Sequence, residues 1–278
     1  MDSRIFKIIN YYKTLFFGIT LVGFFAILAI FADYLAPFDP LEVNTEIVFV
    51  APGSKHIAGT DYLGRDLLSR LIIGSRVSLI VGFFSMSFSM VIGVSLGLIS
   101  GFFGSWIDNV LMRITDTMLA FPRLVLALTI TAFLGQSIEN VILALTITNI
   151  PQFSRLIRGE TLSLMTRDFI RAARSFSASK IRIMIVHLLP NVTNLVLVQA
   201  SLTIAHAILA EASMSFLGLG VPPPHPSWGS MLQSGYNYMG DAPWLAIVPG
   251  TTIFLAVMGF NFLGEGLEQY VSKTHKSG

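Results

Sequence analysis

The sequence has no cysteine among its 278 residues, and few of its residues are charged. Without cysteine the chain can form neither disulfides nor thiolate metal sites. Cysteine content therefore does not indicate whether its outer face meets an oxidising or a reducing compartment. Charged residues make up 12% of the chain, against roughly 25% in a typical soluble domain. The sequence also lacks a GxxxxGKS/T phosphate-binding loop, so it is not expected to bind or hydrolyse ATP.

Apolar residues, by contrast, are abundant and make up 53% of the chain. A helix that crosses the hydrocarbon of a membrane needs about 20 mostly apolar residues. Six stretches reach or approach that length: 15–35, 77–100, 114–134, 138–157, 192–213 and 244–263. Asp116, Pro122 and Arg123 interrupt the third, so we place its apolar part after Arg123 and the preceding residues near the interface. We therefore predict an all-α, polytopic membrane protein with six transmembrane helices.

Lysine and arginine are distributed unevenly between the connections, and such residues accumulate on the cytoplasmic side of a membrane. Arg4, Lys7 and Lys13 place the N-terminal tail inside, and six crossings return the C-terminal tail to the same side. The connection after the fourth span falls inside and is strongly basic, whereas the connection 214–243 falls outside and has no Lys or Arg. The loop 37–75 is an exception, because it is predicted outside yet contains basic residues. They are Lys55, Arg65 and Arg70.

The segment 168–191, here called the coupling segment, is cationic and amphipathic and lies between two apolar runs. Phe169, Ala172, Ala173 and Phe176 recur at helical spacing among arginines, which predicts a short helix with one apolar and one basic face. The small alanines let another surface approach the backbone closely. The pattern favours a cytoplasmic docking element over an active site. An amphipathic helix lying on anionic lipid is the alternative that the same residues permit.

The second half of the coupling segment predicts a turn and another helix. Ser177 and Ser179 offer a break and a new N-cap before residues 180–189. Pro190 is predicted to end that second helix or to kink it, because proline lacks the backbone N–H. The segment therefore predicts a helix-turn-helix.

These residues resemble the cytoplasmic signature of a known family, the inner-membrane permease subunits of ATP-binding-cassette importers, specifically the dipeptide, oligopeptide and nickel group. The family signature is a Glu-Ala-Ala run, a glycine four residues after the second alanine, and a Leu-Pro further on. Its positions here are Arg171, Ala172, Ala173, Ser177, Leu189 and Pro190. Arg171 stands where the glutamate is usual and Ser177 where the glycine is usual.

The resemblance extends over nearly the whole chain, because further family motifs follow in order. They are residues 56–82, Asp116 with Phe121 and Pro122, residues 158–160, residues 211–220 and residues 261–264. On this basis we divide the chain into residues 1–75, the first span with its external loop, and residues 76–278, a five-span permease core that contains the coupling segment.

The resemblance implies a permease subunit and not an enzyme, with no catalytic residue, metal or cofactor in this chain. Two cytoplasmic ATPase subunits or domains would bind ATP and Mg, grip the coupling segment and rock the spans between inward-facing and outward-facing states. The other implied partners are a second homologous permease subunit, an extracytoplasmic substrate-binding protein and membrane lipid, without nucleic acid. The expected place is the inner (cytoplasmic) membrane, with both termini cytoplasmic. Di- or oligopeptides are the expected cargo, and nickel or a metal chelate is the alternative.

Polar residues within the fifth span are candidates for the translocation path, because such groups usually face a bundle interior or a water-filled path. Gln199 and His206 are seven residues apart and share a helix face, and Glu211 lies near the outer end. The alternative for these residues is hydrogen bonding to a neighbouring helix. No second histidine or cysteine lies at ligand spacing beside His206, so the imidazole is weak evidence for a metal site.

Two further features have both structural and functional interpretations. Gly93, Gly97 and Gly101 form two i, i+4 pairs, which is typical of close helix packing in lipid. The loops 59–70 and 221–229 are candidates for contact with the binding protein, or for an ordered cover over the outer mouth.

Other classes of protein fit the sequence less well. An intramembrane enzyme would need a motif such as HExxH, which is absent, and one GxSxG match lies inside an apolar span where no nucleophile is exposed. A secondary transporter would be expected to show internal repeats, and no convincing repeat is found. A structural membrane subunit of another complex stays open, because the lack of ATP motifs does not exclude it.

Overall fold

The computed structural model describes residues 13–274, which fold as a bundle of helices. The helices are α1 (Lys13–Ile30), α2 (Ala32–Leu35), α3 (Leu67–Phe103), α4 (Ser105–Leu119), α5 (Arg123–Leu134), α6 (Ile138–Leu164), α7 (Asp168–Ser175), α8 (Lys180–Arg182), α9 (Leu189–Phe216), α10 (Trp228–Tyr236) and α11 (Trp244–Thr274). A 3-10 turn covers Thr45–Ile47 and a π-helical turn covers Ile183–Leu188. Residues 13–274 contain no β-strand, which confirms the all-α prediction.

All six predicted apolar stretches lie in helices, but they do not qualify equally as spans. Within the described residues, four helical runs are long and apolar enough to cross a membrane: α1, α3, the run Lys180–Phe216, and α11. Helices α4 and α5 add a fifth if the bent pair counts as one span. Helix α6, which contains the fourth predicted stretch, carries Asn149, Gln152 and Arg155 and is not among them. The structure thus supports four or five spans by length and composition, and the count of six stays a prediction.

The third predicted span is broken where the sequence indicated. Helices α4 and α5 meet at an angle of 89°, and Pro122 precedes the first residue of α5 in an extended conformation. Helix α5 has 12 residues and is therefore about 18 Å long, shorter than the roughly 30 Å of membrane hydrocarbon. The break predicted before Arg123 is confirmed.

Helix α3 lies at the centre of the bundle and packs against α6, α9 and α1, and α11 packs against α1 and α9. The glycines of α3 make the contact with α6 close. A β-carbon added to Gly93 would lie 2.5 Å from the β-carbon of Phe153, and one added to Gly101 would lie 2.7 Å from that of Thr161. Gly97 is equally close to α6, so the packing role predicted for the three glycines is confirmed. The GxSxG match is simply part of this helix.

Helix α3 begins ten residues before the predicted second span, because Asp66 caps it. The Asp66 carboxylate accepts hydrogen bonds from the Ser69 backbone N–H at 2.8 Å and from the Ser69 hydroxyl at 2.7 Å. The helix is continuous through residues 75 and 76, where we had divided the chain, and α1 packs against α11 and α3 of the second part. The first span is therefore part of the same bundle as the rest.

The long connections lie at one end of the bundle, here called the loop end, formed by residues 36–66 and 217–243. The loop 36–66 contains the basic residues that did not fit the charge rule. Asp61 accepts a hydrogen bond from Arg65 Nε at 2.7 Å and lies 3.6 Å from Arg70 Nε. These two arginines are thus compensated inside the folded loop, whereas Lys55 is exposed.

Candidate functional site

The end of the bundle opposite the loop end, here called the basic end, carries residues 165–190. Helix α7 has eight residues, with Asp168 in its first turn and Arg174 in its last, as the helix dipole favours. Ile170 and Ala173 are its buried residues. They belong to the same apolar cluster as Ile183, which lies in the following helical run. One face of α7 is thus packed against the bundle, and the predicted amphipathic helix is present.

The turn after α7 is a Schellman motif built on serine. The Ala178 N–H donates to the Ala173 carbonyl at 3.1 Å, and the Ser177 N–H donates to the Arg174 carbonyl at 2.9 Å. Ser177 has a φ of 57°, the left-handed conformation in which glycine is usual at this position of the motif. The Ser179 hydroxyl accepts from the Arg182 N–H at 3.3 Å and caps the next helix. The predicted break and N-cap are both confirmed.

Pro190 does not end the second helix, contrary to one of the two outcomes we predicted. The chain stays helical from Lys180 to Phe216, with the π-helical turn Ile183–Leu188 directly before the proline. The Leu189 N–H donates to the Met184 carbonyl, five residues back. The wider turn accommodates a ring that would otherwise clash with a carbonyl of the preceding turn.

The predicted docking residues divide into one anchor and an exposed set. Ala173 is buried. The exposed ones are Phe169, Arg171, Ala172, Phe176, Ser177, Leu189 and Pro190. Phe176 is 86% exposed, which is unusual for a phenylalanine. Arg171, which replaces the usual glutamate, lies 3.4 Å from the exposed Asp168 carboxylate on the same helix.

Sequence reasoning missed how the coupling segment is attached to the bundle. The Arg174 guanidinium lies 6.0 Å from the ring centroid of Phe102, and the Lys180 ammonium lies 5.4 Å from that of Phe103. Both rings end α3, so these cation–π contacts join the coupling segment to the central helix. The signal in the sequence was the aromatic pair at the end of the second span.

A second attachment, also missed, ties α4 to α6 at the basic end. Asp108 accepts from Arg158 through both carboxylate oxygens, at 2.5 and 2.6 Å, and Asp116 accepts from Arg155 at 2.5 Å. Arg158, part of the 158–160 motif, thus has a structural partner in Asp108. These two ion pairs hold α4 against α6.

The structure does not bring the predicted path residues together on one surface. Gln199 is half-buried and donates to the Thr203 hydroxyl at 3.2 Å. His206 is exposed. Glu211 is fully buried and accepts from the Ser78 hydroxyl at 3.2 Å and from the Ser215 hydroxyl at 2.7 Å.

The partners of Glu211 join α3 and α9 to the loop end. The Ser227 hydroxyl lies 3.3 Å from that of Ser215. The Trp228 backbone N–H donates to the Ser78 hydroxyl at 3.4 Å, and its indole N–H donates to the Leu71 carbonyl at 3.0 Å. Trp228 is completely buried. This network fixes α10 on the helices below it.

His206 lines a cavity of about 190 Å³ between α5, α6 and α9. Its polar lining residues are Arg123, Thr148, Asn149, His206 and Ser213. Arg123 was noticed in the sequence only as an interruption, and Asn149 was not considered as a site residue. The signal that could have found Asn149 is an amide inside a predicted span.

No group of three or more histidine, aspartate or glutamate side chains is placed to hold a metal ion within residues 13–274.

Comparisons with known proteins show similarity along most of the chain. The sequence pattern of the family described as "Binding-protein-dependent transport system inner membrane component" matches residues 93–275. The dipeptide transport system permease protein DppC of Alkalihalophilus pseudofirmus is 40% identical over 98% of this chain and 90% of its own length. The di/tripeptide transport system permease protein DppC of Pseudomonas aeruginosa is 42% identical over 86% and 81%. The glutathione transport system permease protein GsiD of Pectobacterium atrosepticum is 41% identical over 90% and 83%.

The fold also matches a solved structure. A chain of the MetNI methionine ABC transporter in an inward-facing conformation superposes with a TM-score of 0.60, at 21% sequence identity, over 72% of this chain and 94% of that one. At this identity the likeness concerns the fold.

Proposed function

The chain belongs to the family of binding-protein-dependent transport system inner membrane components, and we propose that it imports peptides as one permease subunit of an ATP-binding-cassette transporter. The observation that carries this proposal is the similarity to a dipeptide permease over 98% of the chain, coupling segment included. The relatives named for di/tripeptides and for glutathione support peptide as the class of cargo.

In this proposal, two cytoplasmic ATPase subunits grip the exposed face of the coupling segment. Phe169 and Phe176 offer apolar surface that residues 13–274 leave exposed, and Arg171 offers a charge. The opposite face of α7 is anchored through Ile170 in the core and through Arg174 on α3. A movement of the ATPases would therefore be passed to the central helix.

The same proposal sets the orientation and the other partners. The basic end and both chain termini lie in the cytoplasm, and the loop end faces outward, where the loops 59–70 and 221–229 meet an extracytoplasmic binding protein. A second homologous permease completes the path. ATP and Mg are bound by the ATPase partners, and this chain carries no cofactor of its own.

The three residues predicted to line the translocation path differ in how well their surroundings suit that role. His206 opens onto a cavity, and Gln199 lies two turns away on the same helix. Glu211 is enclosed by serine hydroxyls, which suits a support for the path better than a lining group.

The test is isolation of the chain from its native membranes in mild detergent, followed by identification of copurifying proteins and reconstitution into vesicles. We expect a second permease and ATPases with vanadate-sensitive activity to copurify with the chain. In vesicles, we expect uptake of a labelled dipeptide that requires ATP on the side of the membrane that carries the ATPases. Uptake of nickel ions without uptake of peptide would show that the cargo is nickel and not peptide. Recovery of the chain without any ATPase, under conditions that preserve a control transporter, would contradict the proposal.

A further inference from the structure

We propose that the cavity beside His206 binds the carboxylate end of the transported peptide, and that Arg123 and Asn149 recognise this carboxylate. The inference rests on the proposed function, because it names the chemistry by which the same path holds its cargo. The cavity is bounded by α5, α6 and α9 and measures about 190 Å³.

Arg123 supplies a positive charge without a protein partner. It is the first residue of α5, directly after the bend at Pro122, and it is half-buried. Among residues 13–274 its guanidinium has no ion pair and no hydrogen bond, whereas Arg155 and Arg158 of the neighbouring α6 are both paired with carboxylates. A cation inside a membrane protein usually has a counter-charge, and the guanidinium fork matches a carboxylate. An anionic ligand would complete this site.

Asn149 supplies a second group that lacks a partner. It is 5% exposed and lines the cavity, and its side-chain amide makes no hydrogen bond to any described residue. The amide lies on the cavity wall and is therefore available to a ligand. Its NH₂ group can donate to a carboxylate oxygen beside the Arg123 guanidinium.

His206 supplies an acceptor in the same cavity. Its Nδ1 lies 2.7 Å from the Leu202 carbonyl, which can only accept, so Nδ1 carries the hydrogen and Nε2 of the neutral ring is an acceptor. The hydroxyl donors of the cavity are already used, since Thr148 donates to the Leu145 carbonyl at 3.1 Å and Ser213 to the Leu209 carbonyl at 2.8 Å. The cavity thus combines donors for a carboxylate with an acceptor for an N–H group.

This combination matches the C-terminal end of a peptide, which has a carboxylate and a nearby amide N–H. A divalent metal cation would instead meet a guanidinium of like charge, which opposes binding. The size also fits an end group, because sites for whole small molecules occupy roughly 300 to 1,000 Å³. The rest of the peptide would extend from the open side of the cavity.

The experiment measures ATP-driven uptake of L-alanyl-L-alanine and of its C-terminal amide by the reconstituted transporter, with the binding protein saturated by each peptide. The binding protein has its own preference, but it is the same for every permease variant and cancels when acid-to-amide ratios are compared. We expect Arg123→Gln to lower this ratio at least tenfold, Arg123→Lys to retain part of it, and Asn149→Asp to lower it through repulsion. The matched control is Arg113→Gln, which changes an exposed arginine of α4 outside the cavity and should leave the ratio unchanged.

The outcomes separate this inference from the proposed function. If the wild-type transporter moves neither peptide, the proposed function fails first. If it moves peptide and Arg123→Gln leaves the acid-to-amide ratio at the wild-type value, carboxylate recognition is overturned. Copurifying ATPase and basal ATPase activity show that each variant has assembled. If Arg123→Gln does not assemble, the other two variants decide: a ratio lowered in Asn149→Asp and partly retained in Arg123→Lys supports carboxylate recognition, and wild-type ratios in both overturn it.

Discussion

At the loop end two carboxylates are buried inside the protein, whereas at the basic end most side chains of the coupling segment lie on the surface. Asp61 and Glu211 are buried with their partners, and Trp228 closes the network above them. Arg171 and Phe176 at the basic end are exposed. The two buried carboxylates have their partners within the chain, whereas the Phe176 ring presents an apolar surface that residues 13–274 leave mostly uncovered. The difference fits our proposal that the loop end is the outer cap and the basic end the docking surface.

The largest effect is expected at the loop end. Trp228→Ala would remove a completely buried indole with its hydrogen bond to the Leu71 carbonyl and its edge contact with Phe25 at 5.5 Å. We expect the free energy of unfolding to fall by about 3 to 5 kcal/mol, measured by thermal unfolding in detergent. Trp106→Ala, at an indole that is 70% exposed, is the control and should change it by less than about 0.5 kcal/mol. Equal effects of the two substitutions would remove the contrast.

The next effect tests the helix that connects the two ends. A β-carbon at Gly97 would lie 2.7 Å from the Ser154 carbonyl oxygen, so Gly97→Ala should force α3 and α6 apart and destabilise the protein by about 1 to 3 kcal/mol. Gly23→Ala on α1, where a β-carbon meets nothing within 4 Å, is the matched control in an apolar helix and should be neutral or slightly stabilising. Thermal unfolding of both variants measures the difference, and a stable Gly97→Ala protein would contradict the packing account.

A substitution at the basic end should affect assembly and leave the fold unchanged. Phe176→Ala removes a ring that is 86% exposed, so the unfolding temperature should stay within error of the wild type. Binding of the ATPase subunits should weaken about tenfold, as expected for a loss of about 1.4 kcal/mol at an interface anchor. Titration of the detergent-solubilised permease with ATPase measures this. An altered unfolding temperature with unaltered ATPase binding would reverse the roles of the two ends.

The smallest effect concerns the turn inside the docking surface. Ser177 has a φ of 57°, where a β-carbon costs about 1 kcal/mol, so Ser177→Gly should stabilise the turn by up to that amount. Ser175→Gly in the last turn of α7 should instead destabilise it by about 0.5 to 1 kcal/mol. Hydrogen exchange of the backbone amides over residues 170–182 reports both changes. Faster exchange in Ser177→Gly would show that the serine is favoured by something other than backbone conformation.

Local features of the fold were predictable from the sequence, and contacts between distant elements were not. The break before Arg123, the serine turn and the glycine face of α3 each depend on residues within a few positions of one another. The cation–π contact of Arg174 on Phe102, and the cavity where Arg123 meets Asn149, depend on which helices are neighbours. Apolar periodicity identifies a buried face but not the helix that covers it.

Where the structure differs from the sequence predictions, the difference has a physical cause. Pro190 was expected to end or kink a helix. It does not end it, because the π-helical turn Ile183–Leu188 directly before it accommodates the proline ring. Glu211 was grouped with His206 by sequence distance, yet the serines around it come from α3, α9 and the segment before α10. Helix α6 is not among the candidate spans because Asn149, Gln152 and Arg155 interrupt its apolar residues.

Because the chain has no cysteine, site-directed crosslinking can test directly whether the ATPases dock on the basic end. Three exposed positions can each be replaced by a single cysteine: Ala172 and Phe176 on the basic end, and Pro224 on the loop end. A short thiol-directed crosslinker can then join each cysteine to neighbouring subunits in native membranes. We expect Ala172→Cys and Phe176→Cys to crosslink to an ATPase subunit and Pro224→Cys not to. Crosslinking of the ATPase to Pro224→Cys, or to none of the three in a transport-active preparation, would contradict this expectation.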